Sequence, residues 1–326
     1  MDAVRRIADA VLYEGHVLWP YRRSALKNRE RWTFGRLHPQ GHGEATTLQA
    51  QLLLETDRVA RLDVTLRFLH LVERRVHRRT PAGMQPVDTL DVEGQRYLSW
   101  DEATERSIEL HTQLPGAPAH ESFDIPAGGE DEPLLDRHEA LAGLLGRRWR
   151  ALHGAIAVSG EVEEPGLVRV TVTVTNTTRW TRETSPLAST LLAAHLVLIA
   201  GDGARWVSLT DAPRRWQPAA AACVNVGTWP VLVGEPGDRS TMLAAPIVLY
   251  DYPQIAPESP GDFFDATEID QMLVLNVLGL TEEERREVAA SDPRAREIVE
   301  RCAALSKEDV LRLHGTLRDP RARGGA

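Results

Sequence analysis

A chain of 326 residues, 42% hydrophobic and 26% charged, has ordinary globular composition, which excludes a fibrous or disordered chain and leaves room for one large core or two modest ones. Its net charge of −9 argues against a general nucleic-acid role, because phosphate binding needs a concentrated positive surface. No run approaches the roughly 18 consecutive apolar residues of a membrane span, and charges interrupt the opening MDAVRRIADAVLYEG where a signal peptide would be uninterruptedly apolar.

Residues 1–44 read as an N-terminal helix and a basic-aromatic arm. Val4, Ile7, Ala8 and Val11 follow helical spacing, which predicts a short amphipathic helix docked on the body. Gly15, Pro20, Gly35, Pro39, Gly41 and Gly43 then interrupt any long regular element. An ordered loop of that length usually has a function or wraps something.

Residues 45–255 read as a β-rich body. Leu48, Ala50, Leu52 and Leu54 share one parity, as do Leu62, Val64, Leu66 and Phe68. Period two is the mark of a strand with one buried face. Val168, Val170, Val172 and Val174 alternate with Arg169, Thr171, Thr173 and Thr175 before the turn-forming Asn176, the pattern of an antiparallel strand with one wet face. HLVLIA, Gly201-Asp202-Gly203 and ARWVSL read as a hairpin. Further short strands are expected at VNVG, WPVLVG and APIVLY. A joint near 115–150 is rich in proline and glycine at Pro115, Pro118, Pro126, Gly128, Gly129 and Pro133, and the body reads either as two layered subdomains split there or as one extended antiparallel assembly.

Residues 256–326 read as helical. Asp265 with Glu268, Thr281 with Glu284, and Ser306 with Asp309 have capping spacing, in which a side-chain oxygen satisfies free backbone N–H groups. The fold class is therefore mainly β within α+β: an antiparallel β-sandwich-like body with a short α-helical C-terminal tail.

Two segments stand out as interaction candidates. The arm carries Tyr21, Arg22, Arg23, Lys27, Asn28, Arg31 and Trp32, and arginine with aromatics is what protein interfaces favour; docking on the chain's own acidic tail would use the same residues. The loop around Asp251, Tyr252, Glu258 and Asp262 concentrates carboxylates among prolines. These could serve acid–base or hard-cation chemistry, yet their spacing does not match a calcium loop.

The remaining candidates read as structural. His38 and His42, with Glu44 behind them, lie in glycine-rich sequence without an obvious fourth ligand. His70 continues the parity of Phe68 and is expected to face the core, hydrogen-bonded there. Cys223, beside Val224 and Val226, reads as a buried structural thiol, and Ser185 and Ser259 lack a nucleophile elbow. Only Cys223 and Cys302 are present, so no disulfide framework is expected and a reducing cytoplasm is the expected home. No metal site and no cofactor are expected.

Three blocks carry a resemblance: LWPYRRSALKNRERWTFGRLHP over 18–39, IVLYDYPQIAPESPGDFFDATEID over 247–270, and RLHGTLR over 312–318. Together they resemble a bacterial family, of actinobacterial type, associated with the gene clusters of nickel–iron uptake hydrogenases. The resemblance brings no assigned activity or functional residues with it. It implies a non-catalytic accessory role in assembly, maturation or scaffolding, with a hydrogenase subunit or maturation factor as protein partner. The alternative is a metal-dependent or carboxylate-using hydrolase, and self-association through sheet edges is a third reading.

Overall fold

The computed structural model describes residues 7–9, 11–12 and 34–253. Alternating side chains build two large antiparallel sheets and one small two-stranded sheet. Strands β1 (Thr47–Glu55), β2 (Ala60–Thr80), β3 (Gly83–Val87), β4 (Thr89–Val92), β5 (Gln95–Leu98) and β6 (Trp100–Leu114) come first. They are followed by β7 (Ala119–Ile125), β8 (Gly128–Leu135), β9 (Leu141–Trp149), β10 (Leu152–Glu164) and β11 (Leu167–Asn176). The last four are β12 (Leu192–Ala200), β13 (Arg205–Val207), β14 (Trp229–Leu232) and β15 (Thr241–Ala245).

One sheet has the order β13-β1-β11-β10-β7, the other β14-β15-β12-β2-β9-β8, with β6 and β3 also paired to β2. Between them lies the main core. Leu62, Val64, Leu66 and Phe68 of β2 pack in one cluster with Leu48, Ala50, Leu52 and Leu54 of β1 and the four valines of β11. Each fully buried side chain of this size stabilises the fold by about 1.5–3 kcal/mol before entropy is counted. The body is thus the sandwich that alternation predicted, and no helix among the described residues is long and apolar enough to cross a membrane.

The outer faces are covered rather than wet where they are apolar. Ile7, Ala8 and Val11 of the N-terminal helix pack on Val231, Val233, Leu243 and Ala245, while Leu12 joins Leu69, Leu71 and Leu192. The helix also contributes Asp9 to an ion pair with the nearly buried Arg67, which Glu105 holds at 2.6 Å from the other side. On the opposite sheet Leu53, Leu167 and Val207 are covered by Ala212, Trp216 and Ala220. For this reason β1 buries Leu53 although its parity places it outside.

β2 is 21 residues long and serves two bodies. Its first part pairs with β6 and β12; from Glu73 onward it pairs with β9, and from Val76 with β3. There Val76, Leu90, Val92, Leu134 and Leu145 form a separate small core. Arg74, Glu102 and Arg147 meet at the junction, with Glu102 accepting from both guanidiniums at 2.9 Å.

Three strand expectations need correction: VNVG forms no strand and holds only an isolated bridge from Val226 to Gln49. The Gly201-Asp202-Gly203 turn does not close a hairpin: β12 pairs with β2 and β15, whereas β13 pairs with β1 in the other sheet. Both edges of β12 are already occupied, so the turn, held by Gly201 N–H donating to the Arg61 carbonyl, carries the chain across the sandwich. The strand expected at APIVLY lies earlier, at Thr241–Ala245. Pro246 offers no N–H to continue the ladder.

The region 115–150 contains β7, β8 and β9 rather than only a connector. β8 is an edge strand, acidic along Glu130, Asp131 and Glu132, a composition that discourages edge-to-edge pairing and conceals the strand from an apolar-periodicity reading. The helical reading of 256–326 lies outside the described residues.

Candidate functional site

Of the interaction candidates, Tyr21, Arg22, Arg23, Lys27, Asn28, Arg31, Trp32, Glu258 and Asp262 lie outside the described residues. Asp251 and Tyr252 lie within them. Asp251 Oδ2 accepts from the hydroxyls of Ser208 at 2.5 Å and Thr210 at 3.0 Å, and Oδ1 accepts from Leu232 N–H at 2.8 Å. Tyr252 N–H donates to the Leu232 carbonyl at 2.7 Å, and its ring packs on the main core. These two residues fasten the segment leaving β15 to the outer strand β14.

Among the described residues no group of three or more potential metal ligands converges. His38 and His42 stack with ring centroids 4.7 Å apart and planes 9° from parallel, and Trp180 meets His42 edge-on at 5.1 Å. Burial lowers the pKa of His38, and the neighbouring His42 and Arg36 lower it further.

His70 is fully buried and faces inward as its parity predicts. Among the described residues, however, neither ring nitrogen makes a well-formed hydrogen bond, the Arg150 backbone offering only a looser polar contact. Burial first and Arg106 second push its pKa down to about 4, with the Arg150 backbone pulling only weakly the other way. His195, equally buried, donates from Nδ1 to the Ala193 carbonyl at 2.9 Å. Burial holds it too at about 4. Cys223 is half-buried, accepts from Arg169 at 3.3 Å, and burial raises its pKa. It is a poor nucleophile for that reason. Its neighbours Val224 and Val226 are exposed rather than buried.

Sequence reasoning did not find a polar concavity among the described residues. At one end of the sandwich a cleft of about 440 Å³ lies between three turns, lined by residues 55–58, by Pro165 and Gly166, by Asp202 and Gly203, and by Arg205, Arg215 and Trp216. Its organising residue is Glu55, the last of β1. Oε1 accepts from Arg215 at 2.5 Å and from the Trp216 indole at 2.8 Å, and Oε2 accepts from Arg239. Burial would raise the Glu55 pKa, but the hydrogen bonds from Trp216, Arg239 and Arg215 outweigh it and hold the carboxyl at about 2. Glu55 is a fixed anion and not a proton donor near neutral pH. Arg215 also lies over the Trp216 ring at 4.6 Å.

A second feature is apolar. After β15 the chain alternates: Ile247 and Leu249 pack under the N-terminal helix, while Val248 and Tyr250 point outward at 75% and 88% exposure. Val224, Val226 and Trp229 are also exposed in the segment leading into β14, which is the end strand of its sheet. Five large apolar side chains within 27 residues is a concentration, since scattered single ones would be ordinary.

Neither feature had a legible signal. The partners of Glu55 lie 160 to 184 positions away in sequence, and APIVLY looked like a strand with one buried face. The adjacent Arg214, Arg215 and Trp216 were the available hint, and they resemble an ordinary solvated turn. No family model matches the chain, and no curated protein is significantly similar to it.

Proposed function

We propose that the protein is a non-catalytic accessory protein that binds another protein, in the assembly, maturation or scaffolding of a nickel–iron hydrogenase. The observation that supports the interaction reading is that Val224, Val226, Trp229, Val248 and Tyr250, on the chain entering β14 and leaving β15, are all exposed. Leaving such side chains in water forgoes about 1.5–3 kcal/mol each, which a partner's surface would recover on binding. The hydrogenase connection rests on the resemblance of residues 18–39, 247–270 and 312–318. Val248 and Tyr250 belong both to that resemblance and to the exposed apolar set. A cytoplasmic location accords with this reading and with the half-buried free thiol of Cys223.

The test is tagged purification from the native host under hydrogenase-expressing conditions, comparing wild type with a Val248→Asp, Tyr250→Asp double variant and with charge reversal at Arg22, Arg23 and Arg31. Hydrogenase subunits or maturation factors identified by mass spectrometry with the wild type, and lost by at least about tenfold with the double variant, are the expected result. Recovery unchanged in both variants would refute the surface, and wild-type recovery of neither class of protein would refute the hydrogenase role.

A further inference from the structure

The cleft around Glu55 has a different chemistry from the exposed apolar set and an independent consequence. Counting Arg239 behind Glu55, four guanidiniums (Arg58, Arg205, Arg215, Arg239) face three carboxylates (Glu55, Asp57, Asp202). The excess is positive in a chain whose net charge is −9. The carboxylates are not equally free to neutralise it. Glu55 is saturated by Arg215, Arg239 and Trp216, and Asp202 Oδ2 accepts from the Arg61 N–H at 2.8 Å.

The guanidiniums differ in how they are held. Arg215 is pinned by Glu55 and by stacking on Trp216, yet the hydrogen bond to Glu55 uses only one of its terminal nitrogens. Arg58 is held by donating to the Asp202 carbonyl at 2.7 Å. The Arg205 side chain, opposite Glu55 in the β1·β13 ladder, has no hydrogen-bonded or ionic partner among the described residues. Two oriented forks and one unused fork around a concavity is the arrangement that planar oxyanions select, since each fork can offer two parallel N–H groups.

The turns keep the space open. Gly166 and Gly203 have φ of +83° and +80°, a conformation that L residues rarely adopt, so these two positions themselves put no side chain into the space. We propose that this cleft is a binding site for a small-molecule oxyanion, a carboxylate or phosphate group, gripped by Arg205 and Arg215 with Arg58 on the third side. It does not depend on the protein-partner reading.

Calorimetric titration at low ionic strength with citrate and, separately, with inorganic phosphate tests the site in the full-length protein. Saturable binding of at least one, with one site per chain, is expected. Citrate alone would identify a carboxylate site, phosphate alone a phosphate site, and both a shared oxyanion site. Arg205→Ala is expected to weaken binding by about tenfold or more, because it removes a charge-assisted contact. Arg205→Glu should abolish binding, and Arg78→Ala, an exposed arginine at the far end of β2, should leave it unchanged. Thermal melts of the variants establish that they are folded, and Arg58→Ala supplies a second reading if Arg205→Ala is not. Wild-type protein that binds neither probe, or binding reduced as much by Arg78→Ala as by Arg205→Ala, overturns the proposal.

Discussion

Replacing Glu55 with glutamine isolates one charge in a cluster whose geometry is known. The carboxyl is held at about 2 against an ordinary 4.5, and its side chain is only 18% exposed. A shift of that size corresponds to about 3 kcal/mol of stability, at about 1.36 kcal/mol per pH unit. Because the folded pKa is depressed, the contribution is fully present above the unfolded value of 4.5 and is lost as pH falls through 4.5 toward 2. The stability difference between wild type and Glu55→Gln should therefore be largest at neutral pH and shrink to about half by pH 3. Urea unfolding of both proteins at several pH values measures this difference directly, and titration of other carboxylates cancels in it. A difference that stays constant from pH 7 to pH 3 would show that Glu55 is not ionised against Arg215 and Arg239 as described, and with it would fall the account of how Arg215 is oriented.

Two further outcomes follow from buried polar groups. Asn176 is fully buried, donates from Nδ2 to the carbonyls of Leu37 and Ser189 at 2.8 Å, and accepts from Thr178 N–H at 3.0 Å. Asn176→Ala should cost about 2–3 kcal/mol in denaturant unfolding, because it orphans the Ser189 carbonyl and the Thr178 N–H while the Leu37 carbonyl keeps the Leu191 N–H; a loss below about 1 kcal/mol would mean that water replaces them. His70→Leu should be neutral or stabilising near pH 7, since among the described residues the ring has only a loose polar contact with the Arg150 backbone to lose. The folded pKa of about 4 lies below 6.5, so wild type loses stability as pH falls through that window, and the advantage of His70→Leu should grow there. A destabilised His70→Leu at every pH would show that the imidazole makes a contact of its own.

Legibility in the sequence followed the range over which each cause acts. Alternation along β1, β2 and β11 marked the sandwich because a strand facing one core repeats every two residues. The N-terminal helix was readable at Ile7, Ala8 and Val11 for the corresponding reason at helical spacing. β8 was not, since it is a short polar edge strand with little apolar surface to bury. Gly201 to Gly203 announced a turn but not its destination, which depended on β2 and β15 already occupying both sides of β12. The same holds for the sites. His70 facing inward could be read from parity, whereas its lack of a well-formed hydrogen bond could not, because that depends on which groups the opposite elements bring to it.

By itself the sequence determined the fold class, the inward faces of the long strands and the docking face of the first helix, since these follow from local periodicity and burial. Only the tertiary structure decided that Glu55 gathers Arg215, Trp216 and Arg239 into one cluster, that Asp251 fastens the segment after β15 to β14, and that Val248 and Tyr250 face outward. Those outcomes are set by tertiary pairing, which for Glu55 makes neighbours of residues 160 to 184 positions apart only after the strands have been assembled.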